Sequence, residues 1–284
     1  MSYFRPQNLD EAIHWLGENG GTIAAGCTDL FPATHRASLS GPVLDITAIE
    51  ALKQIEKTTD GWRIGAAATW SDVITADLPP AFDGLKLAAR EVGSKQIQNA
   101  GTVGGNLCNA SPAADGVPCL MTLDASVEIA SAAGTRTLPL QDFILGPRRT
   151  ALQEGDILSA ILIPESADAG QSDFVKLGAR KYLVISISMA AARLVIEGGT
   201  IADAALSVGA SSAVAVRLPQ AEAVLRGQPA NAATAALTSD EMVTSALSPI
   251  DDIRSTGTYR LAASAELVRQ TIANVIENAT EAST

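Results

Sequence analysis

An α+β fold in two parts is what this sequence predicts, and two observations carry it. Strand-like segments at 174–177, 186–196 and 201–209 are followed by a run of helical segments near 219–225, 230–237 and 259–278, so strands and helices are grouped instead of alternating. Composition also shifts after Pro164, where the polar stretch from Glu165 to Ser172 includes Gly170; this places a boundary near residue 168, with domains at 1–168 and 169–284.

The elements follow in order. Asn8 with Glu11 makes a capping-box-like start, and Leu9, Ile13 and Leu16 recur at helical spacing until Gly17 and Gly20. Thr22 to Ala25 reads as a strand running into Gly26, Cys27, Thr28 and Asp29, where Thr28 or Asp29 can cap the next helix. A strand, a tight turn and a helix N-terminus suit a pyrophosphate, although an ordinary strand-to-helix turn looks the same. Val43 to Ile46 is a strand, and Gln54–Lys57 with Trp62–Ala66 form a hairpin turned at Asp60-Gly61. A helix at 70–74 stops before Pro79-Pro80, and another at 85–92 leads to Gly93 and the 95–99 segment. Pro112 and Pro118 bracket a helical stretch through Met121; 127–130 and 135–138 form a second hairpin around Gly134. In the C-terminal part the last two strands join at Gly198-Gly199, and the final Glu-Ala-Ser-Thr is expected to fray.

Composition excludes several function classes. The 284 residues are 47% apolar with only 5 Phe, 3 Trp and 3 Tyr, so the core must rely on closely approaching backbones. A net charge of −11 repels a phosphate backbone, which argues against nucleic acid. No apolar run approaches the ~20 residues of a membrane span, and the start MSYFRPQNLDEAI lacks the basic and apolar regions of a signal peptide; a cytoplasmic protein is expected. Cys27, Cys108 and Cys119 fall in no C-x-x-C spacing, and His14 and His35 are the only histidines, so neither a disulfide framework nor a metal site is expected.

The densest signal lies between Ala100 and Asp124. Gly101, Gly104 and Gly105 stand among small polar residues, a composition that lets successive peptide N–H groups turn toward an anion. Thr102, Asn106, Asn109 and Ser111 add donors and acceptors that a sugar or ribityl chain would need. A plain Gly-rich turn is the bland alternative, but it would need far fewer such residues. Neither G-x-G-x-x-G after a strand nor G-x-x-x-x-G-K-[ST] occurs, which argues against the Rossmann and P-loop modes.

The block TVGGNLCNASPAADGVPCLMTLDA resembles the second flavin-binding signature of the FAD-carrying medium subunits of molybdenum hydroxylases, the xanthine and carbon monoxide dehydrogenase family. The family's first signature, roughly AGGTDL, is matched by Ala25, Gly26, Cys27, Thr28, Asp29 and Leu30, with Cys27 replacing the usual second glycine. Similar blocks stand at 93–100, 176–181 and 250–260. The resemblance implies a PCMH-like FAD-binding domain of two small α/β subdomains, about 1–55 and 56–168, then a C-terminal domain with a small antiparallel sheet and helices. It also implies that backbone amides at 25–29 and at Thr102, Gly104, Gly105 and Asn106 hold the pyrophosphate. Asn109 and Asp115 would bond the ribityl and ring end, Lys176 and the Gly178-to-Leu183 segment would lie near the isoalloxazine, and Gly93 and Leu158 count with the site. Asp115 could instead cap the following helix, and Lys176 could be a solvated strand charge.

With that resemblance the chain is an oxidoreductase subunit that binds FAD. Molybdopterin and two [2Fe–2S] clusters would sit on a large and a small partner subunit, in a heterotrimer or its dimer. Three scattered cysteines agree, since each cluster needs four ligands. Electrons would pass from the clusters through FAD to an external acceptor. The alternatives are a self-contained FAD oxidoreductase that binds its own organic substrate, and a nucleotide-binding scaffold without redox work.

Overall fold

The computed structural model describes residues 2–34 and 39–281; His35 and the tail at 282–284 lie outside the described residues. The N-terminal unit runs β1 (Tyr3–Phe4), α1 (Leu9–Asn19), β2 (Thr22–Ala24), α2 (Leu30–Ala33) and β3 (Val43–Asp45). Asn8 caps α1 by accepting from the Glu11 amide at 2.9 Å, and Gly20 ends it at φ 61°. The Glu11 carboxylate accepts from the Gln7 amide and not from Asn8, so the capping box is incomplete. The three strands pair in parallel in the order β1-β3-β2, over a small core of Ala12, Leu16, Leu44, Ile46 and Leu52.

The chain then forms β4 (Ile55–Thr58), β5 (Gly61–Gly65), α3 (Trp70–Thr75), α4 (Asp83–Glu91), α5 (Lys95–Ala100), α6 (Val103–Asn109) and α7 (Gly116–Thr122). After these come β6 (Ser126–Ser131), β7 (Gly134–Pro139), α8 (Leu140–Phe143), β8 (Ile144–Gly146), β9 (Arg149–Thr150) and β10 (Ile157–Pro164). Both expected hairpins are present. Strand β10, passed over in the sequence reading, is the centre of an antiparallel sheet ordered β4-β5-β10-β6-β7, with Ile161 opposite both Ile64 and Val127. Its run of apolar residues from Ile157 to Ile163 is what a strand buried on both faces looks like. Ser159 is the one polar interruption, and its hydroxyl donates to Glu128.

The C-terminal part holds β11 (Gln171–Leu177), β12 (Ser188–Glu197), β13 (Thr200–Gly209), β14 (Val216–Arg217), α9 (Pro219–Leu225), α10 (Asp240–Thr244) and α11 (Gly257–Glu281). Four antiparallel strands in that order replace the three expected. The helix expected over 230–237 shrinks to a 3-10 turn at Thr234–Leu237, because its alanines give propensity without an apolar stripe to bury. Helix α11 packs along β11 and β12, and no described helix is long and apolar enough to cross a membrane.

The sheets are joined by one apolar cluster that includes Leu85, Leu107 and Leu120 from the N-terminal side and Phe174, Met189 and Ala191 from the C-terminal side. Arg193 on β12 stitches the same seam. Only 2% of its side chain is exposed; Nε donates to the Thr122 carbonyl at 2.8 Å, and Nη2 faces Asp203 at 3.2 Å and Asp124 at 3.7 Å. Arg193→Ala leaves the buried Thr122 carbonyl without its donor and removes the guanidinium shared by two half-exposed carboxylates, so urea unfolding should show a loss of about 2 kcal/mol. A loss under 0.5 kcal/mol would mean that the cluster alone holds the seam.

Candidate functional site

Two loops meet where the subdomains face one another. A Cβ on Gly26 would lie 1.9 Å from the Ala100 carbonyl oxygen, so only glycine lets the first loop touch the corner between α5 and α6. Thr28 Oγ1 sits over Gly101, at 3.4 Å from where its Cβ would be. On the far side, a Cβ on Gly104 would come within 2.6 Å of Ala66, so α6 lies directly on the end of β5.

The second loop differs from expectation. Residues 103–109 form a helix with Thr102 as N-cap, and Gly104 and Gly105 keep ordinary helical φ. Its first amides are spent inside the protein: Val103 donates to Ala68 O, Gly104 to Ala66 O, Gly105 to Thr102 Oγ1 and Asn106 to Thr102 O. The amides of Gly26, Cys27, Thr28 and Asp29, by contrast, have no acceptor among the described residues. The first loop is therefore the side that offers peptide donors to an anion. Asp29 stands at the N-cap of α2 without a side-chain cap bond, and α2 has only 4 residues, which corrects the expected capping.

Around this junction open two adjoining cavities of about 680 and 690 Å³, which share Asp29, Val92, Ile97, Asn106 and Asn109. Each has the size of a small-molecule pocket, so together they suit an elongated ligand with two bulky ends. Ala25 to Leu30, Thr102, Gly104, Gly105, Asn106, Asn109 and Leu158 line the first; Gly93, Asp115 and Lys176 line the second with Asn106 and Asn109. All fifteen predicted residues thus border one trough. Asn106 Oδ1 is buried with no partner among the described residues.

The polar groups of the second cavity pair among themselves. Lys176 Nζ donates to Asp115 Oδ2 at 2.6 Å and Ser186 Oγ to Asp115 Oδ1 at 2.6 Å. Asp115 makes no cap bond to α7. Burial pushes its carboxyl above the usual range, and Lys176 pulls it back. Asn109 Oδ1 accepts from Arg148 Nη1, which leaves its amide nitrogen and the second lone pair of the oxygen for a ligand. Sequence reasoning missed Leu152–Ile157, whose turn at Gly155 (φ 83°) precedes the apolar run of β10, and it missed Arg260. Arg260, 2% exposed, donates to the Ile187 and Ala210 carbonyls and, at 2.6 Å, to Asp252.

A family model described as the FAD binding domain in molybdopterin dehydrogenase matches residues 1–166, and one described as the CO dehydrogenase flavoprotein C-terminal domain matches 173–275. The chain belongs to this flavoprotein family. It is 34% identical to the nicotinate dehydrogenase FAD-subunit of Eubacterium barkeri over 81% of this chain and 80% of the relative. It is 30% identical to the xanthine dehydrogenase FAD-binding subunit of Escherichia coli O157:H7 over 92% and 90%. The solved structure of quinoline 2-oxidoreductase from Pseudomonas putida 86 contains a similar chain, with a TM-score of 0.88, 28% identity and 98% of each chain covered. The chain is thus an FAD-binding medium subunit of the molybdenum hydroxylase class, an oxidoreductase component.

Two outcomes follow from this geometry. Cys27 holds φ 58° where the family signature has glycine, a conformation costing an L-residue about 1 kcal/mol or more. Cys27→Gly should therefore raise stability by up to about 1 kcal/mol in urea unfolding, less the entropy glycine adds to the unfolded chain; a loss would show that the thiol's packing outweighs the strain. Burial alone would raise the Asp252 carboxyl, but the Arg254 and Ser255 amides and the Arg260 and Arg254 guanidiniums hold it at about 2. With the folded value below the ordinary 3.8, its stabilisation is present above pH 3.8 and lost as pH falls toward 2. The stability gap between wild type and Asp252→Asn should be full at pH 6 and shrink over that window.

Proposed function

We propose that this chain passes electrons from iron–sulfur clusters on a partner subunit, through its FAD, to an external acceptor. In this reading residues 1–168 form the FAD-binding domain, of subdomains 1–55 and 56–168, and 169–284 the C-terminal domain. The partners are a small iron–sulfur subunit and a large molybdopterin subunit, assembled as a heterotrimer or its dimer in the cytoplasm. One observation carries it: the unpaired amides of Gly26 to Asp29 face a trough with room for two bulky ends.

The residues present fit FAD. Gly26, Cys27, Thr28 and Asp29 would hold the pyrophosphate by their amides, with Gly105 leaving the space beside α6 open. A Cβ on Gly105 would meet only Thr102 Oγ1, at 2.8 Å, and otherwise the cavity. Thr102 keeps α6 in place as its cap. Asn106 and Asn109 stand at the junction of the cavities, where a ribityl chain would pass. Asp115 and Lys176 act as a pair: each neutralises the other, so the wall of the ring end stays dry and rigid without placing a net charge there. Gly93 and Leu158 shape the two ends. FAD, when bound, supplies the redox chemistry, which the protein positions and tunes.

A self-contained oxidoreductase would need a proton donor beside a substrate pocket. The acidic and basic side chains of the second cavity are largely committed to one another, which favours the electron-transfer reading.

Acid denaturation of the purified protein should release about one FAD per chain; release of FMN, or of no flavin, would overturn the assignment. Gly105→Val should abolish FAD binding while circular dichroism stays close to wild type and the unfolding midpoint falls only by the loss of the α6 cap, since valine occupies cavity space and displaces the Thr102 hydroxyl. Full FAD content in that variant would move the cofactor off α6.

A further inference from the structure

One turn of the chain is built against its own conformational preference. The β8–β9 hairpin reverses at Pro147 and Arg148, between the paired residues Gly146 and Arg149. After a proline at the first central position, a second central residue with positive φ is ordinarily glycine. Arg148 holds φ 58° there. Facing it is another left-handed residue, Ala110 at φ 45°, which ends α6. The Arg148 amide donates to the Ala110 carbonyl at 2.9 Å. Glycine would make that bond equally well and without strain, so the bond does not account for the arginine.

The side chain does account for it. The guanidinium reaches Asn109, the last residue of α6, and Nη1 donates to Oδ1. A guanidinium carries donors only, so the carboxamide must turn its oxygen to Arg148 and its nitrogen away. That nitrogen has no acceptor among the described residues, and Asn109 stands where the two cavities join. Arg148 itself borders the second cavity. Of the four cations there, Lys176 is matched by Asp115, and Arg254 and Arg260 by Asp252. Arg148 alone makes no ion pair with a described carboxylate.

We propose that Arg148 is a positioning residue for the flavin: it holds the Asn109 carboxamide nitrogen toward the junction of ribityl chain and ring, and it sets a positive charge beside the ring. The inference rests on the reading that puts the ring in the second cavity. Taking two electrons from the partner's clusters and one proton from solvent leaves the ring with one negative charge. A nearby cation stabilises that product over the neutral oxidised ring. The strain in the turn is what it costs to aim one guanidinium at both places.

Arg148→Gly is the test, because it removes the side chain while relieving the turn and keeping the bond to Ala110. Titration of FAD into the deflavinated full chain should give an affinity about tenfold weaker than wild type. In the FAD-loaded chain, a redox titration followed by absorbance should place the two-electron midpoint about 30 mV lower, equivalent to a further tenfold loss for the reduced form. Asn109→Ala should weaken FAD to a similar degree, and the double variant should lose little beyond either single one. Arg148→Lys keeps the charge and should restore the midpoint potential. Arg149→Gln, at the exposed neighbour outside both cavities, should change neither quantity. Unchanged affinity or unchanged potential in Arg148→Gly, additive losses in the double variant, failure of lysine to restore the potential, or an equal effect of Arg149→Gln overturns this role of Arg148 and leaves the electron-transfer reading standing. A wild-type chain that takes up no FAD overturns both.

Discussion

The contact of Gly26 with the Ala100–Gly101 corner is the constraint on which the rest of the site depends. Two backbones touch there with no side chain between them, and any Cβ at Gly26 would occupy the Ala100 carbonyl. This closeness brings the amides of the first loop to the edge of the trough that α6 borders on its other side. The same economy appears at Gly104 against Ala66. A chain with few aromatic residues can build such a junction because small residues let elements approach until backbones touch, where dispersion gains are large for the volume enclosed.

A second buried device sets the ring end. Asp115 belongs to the start of α7, Lys176 to β11 and Ser186 to the approach to β12, so one carboxylate joins the FAD-binding part to the C-terminal sheet. Both charged side chains are under a tenth exposed, which makes the pair costly to break and hard to leave half-satisfied. Arg193 repeats the pattern at another point of the seam, and Arg260 does so inside the C-terminal part, each spreading one guanidinium over three segments. Guanidiniums suit this because five donors in a fixed plane can satisfy several carbonyls at once. The two halves thus form one framework around the trough, although residues 165–172 look like a linker by composition.

What the amino-acid order alone determined was local. Elements whose signal is periodicity or turn chemistry were legible: α1 with its Asn8 cap, both hairpins, and β12 and β13 around Gly198-Gly199. The residues named one by one for the cofactor all border one trough, because a loop built to meet a ligand carries a composition that a plain turn does not need. What only the tertiary structure decided was who partners whom. Whether the Val103 and Gly104 amides face outward depends on Ala68 and Ala66, more than thirty residues away; they are bonded there, those of Gly105 and Asn106 are bonded to Thr102, and the run of free donors is at 26–29. Whether Asp115 caps a helix or holds Lys176 depends on where β11 lies, and the central place of β10 depends on pairing with strands far along the chain in both directions. Hydrogen bonds and ion pairs form between atoms a few ångströms apart whatever their separation in sequence, so residue types foretell which groups can bond, and only the folded chain decides which do.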